Sequence, residues 1–209
     1  MSPRGPALPG RLVLATGNAG KLREMRAILA PWSVQVLPQS DFTAASAEET
    51  GLSFVENAIL KARFAAAAAG LPAIADDSGL EVDALRGAPG IYSARYAGAG
   101  ADDAANNARL LRKLESVPDP ERTARYRCAM VFMRWPRDPA PLVCQASWHG
   151  RIARLPRGTG GFGYDPLFLV NDGGATAAEL DPAHKNLISH RGKALRALVA
   201  ALTEPGEGA

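Results

Sequence analysis

A chain of 209 residues with 47% hydrophobic and 22% charged side chains can bury one sizeable core or two small lobes, and is neither fibrous nor disordered. The formal net charge is only +3, and the basic residues never form a block of about five or six, so a nucleic-acid polymer is not implied as a partner. Two cysteines, Cys128 and Cys144, lie in apolar strand-like runs; they read as buried free thiols, with no disulfide framework or CxxC zinc site.

Residues 1–10 are rich in Pro and Gly, and the apolar piece that follows, residues 12–15, is too short for the core of a signal peptide. No stretch approaches the length of a membrane span. The expectation is a cytoplasmic protein with a disordered leader over 1–10, a single two-lobed domain over 11–203 and a frayed tail over 204–209.

Residues 11–15 read as a strand, 16–20 as a turn and 21–29 as a helix stopped before Pro31. Residues 33–37 suggest a second strand, and the acidic, small-residue segment 45–51 a mobile loop. Ser53 and Glu56 fit a capping box opening a long helix. Val55, Ile59, Ala62 and Ala66 form its apolar stripe, Ser53, Asn57 and Lys61 line up on another face, and Gly70 is the expected C-cap. Next comes the apolar run 71–75, closed by Asp76-Asp77 and then Ser78-Gly79. It reads as a buried strand ending in paired acids and a turn, at the sheet edge where open α/β proteins keep ligands. Residues 80–85 suggest a further short strand. A helix capped by Asp102 or Asp103 should run to about Leu114. Alternating segments 123–134 and 142–152 suggest an antiparallel pair joined by the Pro-rich piece 136–141, and a last helix covers 189–202. Together these give an α/β fold with a mixed sheet and flanking helices.

Four constellations carry chemistry. Thr16-Gly17-Asn18-Ala19-Gly20-Lys21 resembles a phosphate loop but fails the Walker pattern, with Ala15 where the first glycine belongs and Leu22 where Ser or Thr should follow the lysine. Its glycines, the helix start and Lys21 still suit an anion. Asp76 and Asp77 suit a divalent metal, although adjacent acids can simply cap a turn; on an extended chain they point to opposite faces and do not share one role. Gly158-Thr-Gly160-Gly-Phe162-Gly163 matches a dinucleotide fingerprint literally, but Tyr164-Asp165-Pro166 forbids the helix such a fold requires. A loop presenting Phe162, Tyr164 and Asp165 suits a nucleobase, by stacking and hydrogen bonding, as well as it suits a plain tight turn. Finally, Ser189-His190-Arg191 opens the last helix, where donors can face a ligand's acceptors, with Lys185 about one turn earlier.

Taken in order, residues 16–21, Glu48-Glu49, 53–61, 75–80, 87–95, 160–166 and 189–191 resemble the inosine triphosphate pyrophosphatase family, whose bacterial members are called dITP/XTP pyrophosphatases. The resemblance implies an elongated α/β fold with a central substrate cleft, usually a homodimer, that uses magnesium to hydrolyse non-standard purine nucleoside triphosphates to monophosphate and pyrophosphate. It implies that residues 16–21 hold the triphosphate, chiefly through Asn18 and Lys21, with Lys61 adding charge compensation. Asp77 is the implied metal ligand and water-activating acid, Asp76 a supporting acid, and Glu48 or Glu49 a second acidic contributor. The resemblance further implies that Ser78 contacts substrate, that Phe162 stacks on the purine beside Gly163 and Tyr164, and that Asp165, Lys185, His190 and Arg191 read its edge. The competing readings are a Maf-like pyrophosphatase acting on pyrimidine or modified nucleotides, and a non-catalytic nucleotide sensor.

Overall fold

The computed structural model describes residues 8–170 and 174–203; most of the expected leader and the whole expected tail lie outside them. A six-stranded mixed sheet, in the order β2-β1-β3-β4-β5-β6, carries the fold. Its strands are β1 (Arg11–Leu14), β2 (Gln35–Pro38), β3 (Ala73–Val82), β4 (Thr123–Met133), β5 (Leu142–Ile152) and β6 (Phe168–Val170). The α-helices are α1 (Ala19–Leu29), α2 (Phe54–Ala69), α3 (Asp103–Lys113), α4 (Pro182–Ile188) and α5 (His190–Thr203). β1 pairs in parallel with β2 and β3, and β6 pairs antiparallel with β5. The chain divides into two compact units. The first comprises residues up to Asp77, 129–145 and from Arg191 onward; the second comprises 78–128 and 146–190.

The core of the first unit is built from small residues. Ala58, Ala62, Ala65 and Ala66 of α2 meet Val13 and Ala15, Ala73 and Ala75 of β3, and Ala129, Val131 and Met133 of β4. Alanine on both surfaces lets helix and sheet approach closely at crystal-like packing density. Ser53 caps α2, its hydroxyl accepting the Glu56 amide at 3.2 Å. The glutamate reaches back as the capping box requires, but to the Leu52 amide (2.9 Å) and the Ser53 hydroxyl (2.8 Å). Gly70 ends the helix in the left-handed conformation at φ 62°, which glycine adopts without steric cost.

The second unit has a larger-residue core. Leu80 and Val82, Leu110 and Leu114 of α3, Tyr126, Trp148, Ile152, Tyr164, Leu167 and Phe168 form one cluster, and burying each such leucine fully is worth about 1.5–3 kcal/mol. Asp102 caps α3 by accepting the Ala105 amide at 2.8 Å. Arg122 is buried, and its guanidinium donates to the carbonyls of Leu114, Ile152 and Ala153. It thereby satisfies a helix-end carbonyl that would otherwise lack a partner.

Two expectations change. The run 71–75 does not end at the acids: β3 continues from Ala73 to Val82, absorbing Asp76, Asp77, the expected Ser78-Gly79 turn and the separate strand expected over 80–85. The acids can stay extended inside the sheet because each is paired with a cation, Asp76 with Lys21 and Arg191 and Asp77 with Lys61, so no turn is needed to bring them to water. Cys128 is buried as expected, but Cys144 is only half-buried; both are free thiols. Among the described residues no helix is long and apolar enough to cross a membrane.

Candidate active site

In the first unit β1 stops at Leu14 while its parallel neighbour β3 runs on, in the register Leu14↔Ile74. The turn leaving β1 therefore comes level with Asp76. Thr16 Oγ1 accepts the Asn18 amide at 3.1 Å and Asn18 Oδ1 accepts the Lys21 amide at 3.0 Å, so Asn18 is the N-cap of α1. Its side-chain oxygen is thus committed to the turn, and what the loop offers an anion is backbone N–H groups, the helix dipole and lysine charge. The Lys21 ammonium lies 2.9 Å from Asp76 Oδ2.

The two acids part company across the sheet. Ala73 and Ala75 pack on α2, and strand alternation puts Asp77 on that same face and Asp76 on the other. Asp76 accordingly meets Lys21 of α1 and Arg191 of α5, whose Nε lies at 3.3 Å, while Arg191 Nη1 pairs with Glu24. Asp77 Oδ1 meets Lys61 Nζ at 2.6 Å, and the same ammonium pairs with Glu49 at 3.0 Å. Burial alone would raise the Asp76 carboxyl, but Lys21, Arg191 and Lys61 outweigh it and hold that acid far below the usual carboxylate range. Burial raises Asp77, and there Lys61 compensates only in part. Burial disfavours the Lys61 ammonium, but Asp77, Asp76 and Glu49 more than restore it. One acid is thus a fixed anion and its neighbour a poised base, a separation of roles set by environment.

Asp77 also has a buried oxygen, Oδ2, with no hydrogen-bond partner among the described residues, and such a group calls for a ligand. Among those residues no three His, Cys, Asp or Glu side chains converge into a ready-made cage. Magnesium needs none, because it keeps several waters and takes substrate phosphate oxygens beside one or two carboxylates. Asp77 with Glu49 fits that demand. Glu48 is exposed and Glu49 half-buried against Lys61, so the structure brings only Glu49 to this cluster.

The second unit gathers the other expected residues. Asp165 Oδ2 accepts Lys185 Nζ at 2.6 Å and the Phe162 amide at 2.9 Å. Lys185 Nζ also lies 5.1 Å from the centroid of the Phe162 ring, a cation–π distance. Gly161 has φ 73°, and a Cβ there would meet Asp165 Oδ2 at 2.0 Å, so the loop requires glycine on two counts. Gly163 is held from α3, its amide donating to Asp103 at 2.6 Å and its carbonyl accepting from Asn107 at 2.8 Å. The Tyr164 ring is in the core and its hydroxyl donates to the Ser93 carbonyl at 2.8 Å, so that side chain braces the loop from within. His190 is buried, with its ring flat against Tyr126 at 4.6 Å and 7°. Ser78 is half-buried in β3.

Structure thus assembles residues 16–21, Glu49, Lys61, Asp76, Asp77 and Arg191 in one unit, and Phe162, Gly163, Asp165, Lys185 and His190 in the other. The Arg191 guanidinium pairs with Asp76 and Glu24. Sequence reasoning missed three supports. Glu24 lies one turn beyond Lys21 on α1. Asn57 is fully buried and its Oδ1 accepts the Gly51 amide at 2.9 Å, tying down the loop that carries Glu49; its place on the Ser53/Asn57/Lys61 stripe was the available clue. Tyr126 looks like any strand aromatic, and no local signal marks it.

A family model described as the Ham1 family matches residues 12–201. A protein of Thioalkalivibrio sulfidiphilus named dITP/XTP pyrophosphatase is 62% identical over 192 residues, covering 92% of this chain and 98% of its own. One of Shigella flexneri with the same name is 59% identical over 192 residues, with the same coverage. The solved structure of a HAM1 protein from Coxiella burnetii superposes with a TM-score of 0.84 at 51% identity, covering 92% of this chain and 98% of that one.

Proposed function

The chain belongs to the Ham1 family, and from that premise we propose that it hydrolyses non-standard purine nucleoside triphosphates, dITP, ITP and XTP, to the monophosphate and pyrophosphate. The observation that carries the reaction type is the divided acid pair, with Asp76 fixed as an anion by Lys21 and Arg191 while Asp77 beside Lys61 keeps a raised carboxyl and an oxygen with no partner among the described residues. A pure binding module gains nothing from concentrating acids beside phosphate.

In this reading the turn 16–21 receives the triphosphate on its backbone N–H groups, and Lys21 and Lys61 offset phosphate charge. Asp77 and Glu49 would hold magnesium, which when bound would neutralise phosphate charge and supply a more acidic water. Asp77 orients a water and takes its proton as the oxygen bonds to the α-phosphorus. The bond from that phosphorus to the bridging oxygen breaks, and its electrons leave with pyrophosphate. Asp76 stays ionised throughout, keeping Lys21 and Arg191 in place.

For the base, Phe162 offers a stacking face, and Lys185, Asp165 and His190 face its edge. Hypoxanthine and xanthine present an oxygen at position six, which accepts from the Lys185 ammonium or a His190 ring N–H, while the Asp165 carboxylate serves as an acceptor. Adenine presents an amino donor there, and a buried donor facing a donor leaves both unpaired, a mismatch that polar sites reject strongly. We further propose, as the family resemblance implies, a cytoplasmic homodimer.

Incubation with magnesium and, separately, dITP, XTP, dGTP, dATP and dTTP tests the reading. Pyrophosphate release from dITP and XTP, with far slower action on the others, is expected. Preferred hydrolysis of dTTP would replace it with a Maf-like activity, orthophosphate would mean attack at the terminal phosphorus, and binding without product would make the protein a sensor.

A further inference from the structure

We infer that Tyr126 is the positioning residue that sets base selectivity, by orienting Asp165 and His190 together. This rests on the base-edge role proposed above for those two groups. Tyr126 is on β4 and 7% exposed. Its hydroxyl donates to Asp165 Oδ1 at 3.2 Å, the oxygen opposite the one that takes Lys185 and the Phe162 amide. Its ring lies parallel to the His190 imidazole, with centroids 4.6 Å apart. Both groups are nearly buried, at 3% and 4% exposure, and they come from segments 25 positions apart in sequence.

The physical consequence concerns angles. A carboxylate fixed only through one oxygen can rotate about its last torsion, because that torsion is broad. Donors on both oxygens lock the plane, and Lys185, bonded to Asp165 at 2.6 Å, is locked with it. The Tyr126 ring meanwhile fixes the His190 plane against a floor made by Trp148, 6.2 Å away, and Phe168, 4.6 Å away. Discrimination between an oxo and an amino group at a purine edge depends on directed hydrogen bonds, so the residue that fixes these planes governs selectivity without touching the base. Packing alone would be served by phenylalanine; the buried hydroxyl aimed at a carboxylate is what packing does not require.

Tyr126→Phe tests this, since it deletes one oxygen and keeps the ring stack. Steady-state kinetics would be measured with dITP and with the 2′-deoxyriboside triphosphate of unsubstituted purine, which lacks the six-oxygen. We expect kcat on dITP to stay within about twofold and its KM to rise by on the order of tenfold, the scale of one hydrogen bond to a charged group. KM for the unsubstituted analogue should barely move, so the selectivity ratio collapses by a similar factor. Equal changes on both substrates, or none, would overturn the inference. Should the wild-type protein turn over neither nucleotide, the proposed activity fails, and a crystal structure of Tyr126→Phe still decides the positioning role. An Asp165 carboxylate rotated away from its original plane supports it, and an unmoved one overturns it.

Discussion

Asp76 and Asp77 are joined by one peptide bond yet differ in partners and proton affinity, because strand alternation delivers them to different helices. Asp76 meets Lys21 and Arg191, and Asp77 meets Lys61. Asp77→Asn preserves volume and removes the proposed proton acceptor, so pyrophosphate release should fall by at least about 100-fold while nucleotide binding measured calorimetrically without turnover changes far less. Near-normal turnover would remove Asp77 from its role. The two glutamates make a sharper pair. Glu49 shares Lys61 with Asp77 and Glu48 is exposed, so Glu49→Gln should raise the magnesium concentration needed for half-maximal rate by about tenfold, whereas Glu48→Gln should leave that titration unchanged. This choice was invisible in the sequence, where the two are adjacent and identical, because it depends on which side chain the folded loop turns inward.

Helix α2 shows how one element serves several needs at once. Its alanine stripe packs on the sheet, while Ser53, Asn57 and Lys61, four residues apart, cap the helix, tie Gly51 and reach the acids. The spacing was legible because helix geometry alone aligns such residues, but what each would touch was not. A Cβ on Gly51 would come within 2.6 Å of Glu56 Cβ and 2.8 Å of Asn57 Oδ1. Gly51→Ala should therefore shift the loop bearing Glu49, costing about 1–3 kcal/mol of stability in denaturant titration together with a raised magnesium requirement. The connection between β4 and β5 is a separate device. Buried Asp138 accepts from the Arg134 amide and guanidinium and from the Ala140 amide, and the guanidinium bond above all keeps its carboxyl well below the usual range. Its folded-state pKa being depressed, the stability it contributes is full above the unfolded-state value and is lost as pH falls below it. Urea midpoints followed from about pH 5 down to about pH 2 should thus decline less steeply in Asp138→Asn than in wild type.

At the scale of the whole molecule, each unit has its own apolar cluster and neither cluster contains a metal ligand. Chelation with EDTA should accordingly abolish pyrophosphate release while shifting the thermal midpoint by no more than about 2 °C, since a ligand stabilises only as the logarithm of its concentration over its dissociation constant; a fall of about 10 °C would mean a structural metal. Much of this architecture was readable from the chain. The limits of β5, the caps Ser53 and Gly70, and α3 behind Asp102 follow from periodicity and capping chemistry, which act over a few residues. The short β6 and α4 were not anticipated, because three strand residues and a seven-residue helix carry too little pattern to stand out. Nor was the continuity of β3 through its acids, since two charges beside Ser-Gly satisfy every local rule for a turn. Most element types, the family and the residues rich in chemistry could be read from local order along the chain. Long-range packing was needed to show that Asp76 and Asp77 remain inside a strand, that Glu49 pairs with Lys61 while Glu48 is exposed, and that Tyr126 contacts both Asp165 and His190. Each of those outcomes turns on a charge or ring supplied from a distant segment, and no local pattern encodes that supply.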